Sequence, residues 1–311
     1  MAGSRDVSAP GTAGAPTCPR HSARDALVGT MRRIWTHPEN RGRRARRLVR
    51  WVTWQAWQRT ARRPWTVSLH CDIQMICHPH DHITSLALYC GLYDAEEMRF
   101  LLAWLRAGDT FVDVGSNVAP YSLLSTAVRG TRAVAFEPGT LAQVRARANI
   151  DLNGVRGRVT LVPLAVSDAD GEASLTADRW ATNALVDDRY DGPVEHVTTT
   201  RLDSYDEEHG LGRVSLIKID VEGHELAVLR GAGGIIGRDH PALIVEVNDP
   251  LALRRHSDEL GYVAISFDPA TGMIAERRWP DRRGANVILV PHPEQARERV
   301  ALPTVPAPQI N

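Results

Sequence analysis

The sequence predicts an α/β protein with a mostly parallel sheet, preceded by a helical and hairpin extension. Three observations predict it. From residue 110 onward, five short apolar runs alternate with segments of helical period, and each strand–helix–strand unit implies a right-handed crossover between parallel neighbours. The last two apolar runs, YVAISF (262–267) and NVILVP (286–291), have only a turn region between them and are expected to pair antiparallel at the closing edge. The composition, 43% hydrophobic and 24% charged over 311 residues, can bury a core without disulfide or metal staples.

The elements follow in order. Residues 1–30 are rich in Ala, Gly, Pro and Ser without hydrophobic period and read as a disordered tail. Residues 31–95 form an extension. In it, 41–63 place Leu48, Trp51, Val52, Trp54 and Trp57 among arginines at helical spacing, and Pro64 stops that helix. Residues 65–90 read as a hairpin. A domain over 96–293 begins with a helix at 95–105, whose Met98, Leu101, Leu102 and Leu105 share a face. Strands are expected at 110–114, 132–137, 159–166, 214–220 and 242–247, with helices at 120–128, 141–153, 224–232 and 250–260. Two shorter strands fit within 172–200, and 294–311 reads as a tail.

Net charge is zero, but residues 1–64 hold fourteen Arg against Asp6, Asp25 and Glu39. Of the 37 basic residues only Lys218 is a lysine. No apolar run approaches the roughly 18 residues of a membrane span. The N-terminus has no apolar signal core, and four cysteines are too few for a disulfide scaffold. A cytoplasmic protein is expected. A P-loop is missing around Lys218, as are a G-x-S-x-G elbow and a Cys-x-x-Cys pair.

In open α/β sheets ligands sit beyond the carboxyl ends of the strands, so the residues ending each strand carry the functional reading. The first strand ends Asp113-Val114-Gly115-Ser116-Asn117, where glycine allows close backbone approach. Asn117 and Pro120 break the dinucleotide pattern G-x-G-x-x-G. The second strand ends Phe136-Glu137-Pro138. Glu137, 22 residues after Gly115, stands where an acid can accept both ribose hydroxyls of an adenosine ligand. The fourth strand ends Lys218-Ile219-Asp220-Val221-Glu222-Gly223-His224, with Lys218 and Asp220 on one side of the strand. A lysine there can lose its proton when desolvated, which arginine cannot.

Two other segments invite function. Residues 70–82 hold two Cys and four His, but at no standard zinc spacing. The Arg-rich helix could contact an anionic surface or nucleic acid, but no DNA-binding motif accompanies it, and a domain-packing or oligomer helix with a solvated basic face is the favoured reading.

Together TFVDVGSNVAPYSLL (110–124), AFEP (135–138), ANIDLNG (148–154), PLAVSDADGEASL (163–175), TTRLDSY (199–205), LIKIDVEGHELAVLRGA (216–232) and ALIVEVN (242–248) resemble the FkbM-type S-adenosylmethionine-dependent methyltransferases over roughly 96–291. The resemblance implies the class I methyltransferase fold, a seven-stranded Rossmann-like sheet with the last strand antiparallel. It also implies transfer of a methyl group from S-adenosylmethionine to a hydroxyl, often of a secondary metabolite such as a polyketide or sugar. By position, Asp113, Gly115, Ser116, Asn117 and Ser122 look like the methionine-side cofactor loop, Glu137 and Pro138 the ribose side, and Ser167 and Asp168 the adenine edge. Asp220, Glu222, His224 and Lys218 look like the reaction side, with Asp220 or His224 as base. A magnesium ion held by Asp220 and Glu246 is an open alternative, since hard cations prefer oxygen ligands. The family usually has Gly where this chain has Ala119 and rarely Pro at 120.

The missing Asn/Asp-Pro-Pro-Tyr loop and the absence of any Pro-Cys dipeptide argue against nucleic-acid amino or cytosine C5 methylation, and the resemblance implies a hydroxyl oxygen of a small molecule as acceptor. The N-terminal helix and residues 176–196, with Trp180 and Tyr190, are expected to cover its site. Homo-oligomer formation stays open. A nicotinamide-dependent oxidoreductase and a non-catalytic adaptor with a basic interaction helix are the alternative readings.

Overall fold

The computed structural model describes residues 23–128, 130–178, 182–280 and 284–301. The extension opens with helix α1 (Ala23–Thr36), a 3-10 turn at Pro38–Asn40 and helix α2 (Arg44–Thr60). The tail expected over 1–30 therefore gives way to helix from Ala23, and residues 1–22 lie outside the described part. Ile34 anchors α1 in the core, and the Asn40 amide closes the corner by donating to Ile34 O at 2.9 Å. Helix α2 buries Trp51 and Trp54 but leaves Val52 and Trp57 exposed, a narrower apolar face than the sequence suggested.

Strands β1 (Trp65–His70) and β2 (Ile73–Cys77) form the expected hairpin. It ends at Cys77, because His82–Cys90, read as part of it, is helix α3. Asp81 starts that helix by accepting from Thr84 N at 3.1 Å, a local bond that competes well with strand pairing.

Helix α4 (Ala95–Trp104) leads into β3 (Thr110–Val114), α5 (Pro120–Ser125), β4 (Arg132–Phe136), α6 (Thr140–Leu152) and β5 (Val159–Val162). The run 159–166, expected as one strand, breaks at Pro163, which has no N–H for a ladder. Its second half, β6 (Ala165–Ser167), joins β7 (Gly171–Thr176), β8 (Leu185–Val186) and β9 (Val194–Arg201) in a separate sheet of order β6-β9-β7-β8. Then follow α7 (Leu202–His209), β10 (Val214–Ile219), α8 (Glu225–Gly231), α9 (Gly233–Asp239), β11 (Ala242–Val247) and α10 (Pro250–Glu259). The chain closes with β12 (Val263–Asp268), β13 (Met273–Glu276), β14 (Ala285–Val290) and α11 (Pro293–Ala301). Helix α11 occupies the start of the segment read as a C-terminal tail.

The main sheet runs β13-β12-β14-β11-β10-β3-β4-β5. Strands β5, β4, β3, β10 and β11 are parallel, and β14 lies antiparallel between β11 and β12. The last two apolar runs thus pair antiparallel as expected, with the final strand β14 inserted between β11 and β12. The expected seven strands are all present, and β13 adds an eighth in the region read as a turn. Side chains alternate between two cores: Phe111, Leu216 and Ile244 pack with Leu101, Leu123 and Ile150, whereas Val112, Ile217 and Val245 pack with Leu202, Val228, Ile235 and Leu253. This is a three-layer α/β/α sandwich.

Chain order reverses between β3 and β10, and this switch point is where a ligand crevice forms. Gly231, at the end of α8, lets that helix meet β6 of the smaller sheet, since a Cβ would lie 1.9 Å from Ser167 O. Gly231→Ala is expected to cost about 2–3 kcal/mol through overpacking. Urea denaturation measures it, and a midpoint equal to wild type contradicts so close an approach.

Candidate active site

The turn leaving β3 fixes one wall of the crevice. Gly115 has φ +75°, and the N–H groups of Gly115 and Ser116 both donate to Phe136 O, at 3.0 and 2.9 Å. A Cβ on Gly115 would meet Asp220 O at 1.9 Å, so the ends of β3 and β10 approach too closely for any other residue. Asn117 (φ +51°) and Ala119 (φ +65°) are also left-handed, which costs a non-glycine residue roughly 1–2 kcal/mol. Ala119 therefore keeps the conformation glycine would take there, and Pro120 fits the first turn of α5.

Below this turn, Asp113 Oδ2 accepts from Ser122 Oγ at 2.6 Å and Ser122 N at 3.1 Å. Asp113 Oδ1 and Ser116 Oγ are buried without a partner in the protein. Such orphaned atoms normally have an explanation, and a bound ligand is one.

Glu137 is 8% exposed, and each of its oxygens accepts one backbone N–H at 2.8 Å, from Asn117 and from Gly139. Burial raises its pKa to about 7. A carboxylate has about four acceptor positions, so two remain for hydroxyl donors.

Lys218 is buried, and its Nζ donates to Asp220 Oδ2 at 2.7 Å while standing 4.7 Å from the Tyr121 ring centroid. Burial opposes its charge, but Asp220, Asp113 and Asp94 outweigh burial and hold its pKa above the ordinary lysine value. The proton that a desolvated lysine can lose is therefore held here by the surrounding acids. Lys218 is an ammonium that positions Asp220. Asp94, which receives the Tyr121 hydroxyl at 3.0 Å, belongs to this network and was missed by the sequence analysis. Its place before α4 suggests only a cap, yet its side chain makes no capping bond.

Beyond β10, Asp220, Glu222 and Glu246 each present one oxygen within 4.8 Å of the others, and Asn248 Nδ2 donates to Glu246 at 2.8 Å. Burial first, then the neighbouring acids, raises Glu222 to about 7 and Glu246 to about 8. The folded state holds these protons more tightly than the unfolded chain. Stability should thus fall as pH rises from the ordinary glutamate value of 4.5 through about 8. Glu246→Gln removes the upper part of that loss. The variant should melt several degrees above wild type at about pH 8.5 but not at about pH 5. Parallel melting curves across pH would refute the coupling.

His224 Nε2 and Ser167 Oγ lie 2.8 Å apart. Burial lowers the His224 pKa, so the imidazole is neutral at neutral pH.

These elements surround a cavity of about 680 Å³, within the usual range for a cofactor. Of the residues expected at the site, Gly115, Asn117, Glu137, Pro138, Asp220, Glu222 and His224 line it. Asp113, Ser116, Ser122 and Lys218 are buried and do not line it, nor does the half-buried Glu246. Ser167 and Asp168, expected at the adenine edge, do not line the cavity, although Ala165 and Val166 just before them on β6 do. Ser167 bonds His224, and Asp168 pairs with Arg230 at 2.9 Å. Leu164, Ala165 and Leu175 form the apolar wall instead.

The roof also differs from expectation. Thr182, Asn183 and Leu185 of the 176–196 segment line the cavity, but the N-terminal contribution is His80, Asp81 and Ile83 at the start of α3 rather than the Arg-rich helix. Helix α2 packs on α3 instead, with Trp54 Nε1 donating to Ser85 Oγ at 3.2 Å. Tyr190 donates to Asp178 and does not line the cavity, and Trp180 lies outside the described residues. In the Cys/His segment, Cys77 is buried and its thiol is pushed up to about 12, while Cys71 lies exposed on the hairpin turn.

Comparison with known proteins bears on this arrangement. Residues 113–264 match the family described as "Methyltransferase FkbM domain". The hexuronic acid methyltransferase AglP of Haloferax volcanii is 29% identical over 140 residues, 44% of this chain and 56% of that protein. The AMB antimetabolite synthetase AmbE of Pseudomonas aeruginosa is 28% identical over 177 residues, 44% of this chain and 8% of that protein. The chain thus spans well under two thirds of either relative. The crystal structure of methyltransferase FkbM from Methylobacillus flagellatus aligns at TM-score 0.42 and 17% identity, covering 67% of this chain and 52% of that one. Among the described residues no helix is long and apolar enough to cross a membrane. The segment from Asp113 at the end of β3 to Ala264 in β12, which supplies most of the cavity wall, is an FkbM methyltransferase domain.

Proposed function

We propose that the chain is an S-adenosylmethionine-dependent O-methyltransferase, acting through the domain 96–293 on a hydroxyl of a small cytoplasmic metabolite, a sugar or another secondary metabolite. One observation carries this reading: a single cavity joins Glu137, with two free acceptor positions, to the Asp220–Glu222–His224 cluster at the switch point. The residues present fit the cofactor. Glu137 would take the ribose hydroxyls, the orphaned Ser116 Oγ would serve the methionine side, and Leu164 and Leu175 would face the base. The acids around Asp220 outnumber the single Lys218, which suits a cationic sulfonium.

When bound, S-adenosylmethionine supplies an already activated methyl group, so the protein need only align the acceptor and receive its proton. Lys218 holds Asp220 Oδ2, which leaves Oδ1 to accept the hydroxyl proton as the oxygen is methylated. His224 has Nε2 engaged by Ser167, which favours Asp220 over it as the base. Glu222 lines the same wall and orients the acceptor. The 29% identical relative is a hexuronic acid methyltransferase, which favours a sugar-like acceptor. The three carboxylates of Asp220, Glu222 and Glu246 also suit a hard divalent cation. Turnover lost to a chelator and restored by magnesium would support that addition.

Calorimetric titration with S-adenosylmethionine, S-adenosylhomocysteine and NAD tests the cofactor, with Gly115→Arg as control. Micromolar binding of the first two, lost in the control, is expected. Binding of NAD alone overturns the reading, and failure to bind any of the three favours a non-catalytic adaptor.

A further inference from the structure

The Arg-rich helix takes no part in the site above, yet it lines a second cavity. Arg43, Arg46, Arg47 and Arg50 of α2 stand at helical spacing on one face. Together with Ser68–Cys71 of the hairpin and the Gly91–Leu92 turn they enclose about 330 Å³. Arg99 reaches the same cleft but is spent, since it makes two bonds to Glu39 at 2.9 and 2.8 Å. The four α2 guanidiniums have no carboxylate partner among the described residues. Burial, then the charges of Arg50, Arg43 and Arg46, depresses Arg47 below the ordinary arginine value. Among the described residues, Arg47 makes one polar contact, to Leu88 O at 3.3 Å.

The start of the helix compounds this crowding. Helix termini favour acids at the N-terminus. Helix α2 instead begins with Arg43 as an N-cap without a capping bond, and its first turn holds no acid. Like charges at i,i+3 and i,i+4 destabilise a helix, and cations at its positive end do so again. An anion seated among them relieves both terms.

We propose that the cleft of Arg43, Arg46, Arg47 and Arg50 is a binding site for a phosphate monoester or diphosphate group, separate from the methyl-transfer cavity. Arginine forks match phosphate oxygens bidentately, and charge-assisted bonds of this kind are the strong ones. The volume fits one or two phosphates. The cleft wall holds no Phe, Tyr or Trp on which a base would stack, so a polynucleotide is the poorer fit. The phosphate belongs either to a soluble phosphorylated molecule or to a lipid headgroup. Leu27, Val28 and Met31, exposed on the adjacent α1, make the second source testable.

The test uses the full chain and the double variant Arg46→Glu/Arg50→Glu, whose side chains make no bond that the fold needs. Inorganic pyrophosphate is titrated calorimetrically at low ionic strength. Flotation is run with phosphatidylcholine vesicles with and without phosphatidic acid. Wild type should bind pyrophosphate, more weakly as salt rises, and each reversed charge should weaken binding by about tenfold or more. The melting temperature should stay near wild type, which separates a lost site from a lost fold. Pyrophosphate binding without flotation assigns a soluble ligand. Flotation on phosphatidic acid vesicles that the variant loses assigns a headgroup. The proposal is overturned if pyrophosphate does not bind, if the variant binds it as well as wild type, or if a short single-stranded RNA is bound in preference to it. None of these readouts depends on S-adenosylmethionine binding, so this proposal and the assigned reaction fail separately.

Discussion

Gly115→Ala is expected to abolish measurable S-adenosylmethionine binding and to destabilise the fold by about 2–5 kcal/mol. Two independent effects add. The backbone at φ +75° is one that an L side chain rarely adopts, and the new methyl would lie 1.9 Å from the Asp220 carbonyl oxygen. That carbonyl cannot step aside easily, because Asp220 N donates to Val114 O at 3.0 Å and ties the ends of β10 and β3 together. Any relief must separate the two strands at the switch point, carrying Asn117 away from Glu137 and Asp220 away from its place in the cavity. Gly154→Ala separates the two effects. Gly154 has φ +64° but nothing within 4 Å, so it should pay only the conformational term of about 1 kcal/mol. Urea denaturation of both variants, with calorimetry on whatever remains folded, gives the comparison. If both cost the same, the close approach is not what fixes the crevice.

The sequence made the central sheet readable because β3, β4, β10 and β11 are enclosed by helices and therefore appear as short, nearly continuous apolar runs. It was less informative wherever one residue redirects the chain. Pro163 splits an apolar run into strands of two different sheets. Asp81 caps a helix in a segment whose composition reads as hairpin. Helices α7 and α9, over LDSYDEEH and GGIIGRD, were not anticipated, since one is mostly polar and the other holds three glycines, and tertiary packing stabilises both. At the site, Glu137, Asp220, Glu222 and His224 were legible because they follow directly on buried strands. The Asp94 contact with Tyr121 was not, since no spacing rule links the residue before α4 to a tyrosine on α5. Ser167 and Asp168 stand one step back from the lining, next to Ala165 and Val166 of β6, with Ser167 bonded to His224 in the wall.

Asp220→Asn should lower turnover by about 10²–10⁴-fold while leaving S-adenosylmethionine affinity within about tenfold. The substitution keeps the shape and one acceptor for Lys218 but removes the carboxylate proposed to take the acceptor proton. Cofactor affinity should survive, because Gly115, Asn117 and Glu137 hold their places through bonds that do not involve the Asp220 side chain. Alanine is the poorer probe, since it leaves the Lys218 ammonium buried beside an empty space. The network also predicts the behaviour of its cation. Lys218→Met strands Asp94, Asp113 and Asp220 around an apolar side chain, and breaking a buried pair in this way costs about 3–5 kcal/mol. Lys218→Met should therefore lose stability first and activity as a consequence, whereas Asp220→Asn should lose activity in a protein that melts close to wild type. The two patterns distinguish a base from the group that positions it. Turnover near wild type in Asp220→Asn would remove Asp220 from the chemistry and pass the base to His224, whose Nδ1 makes no bond to a side chain or backbone among the described residues.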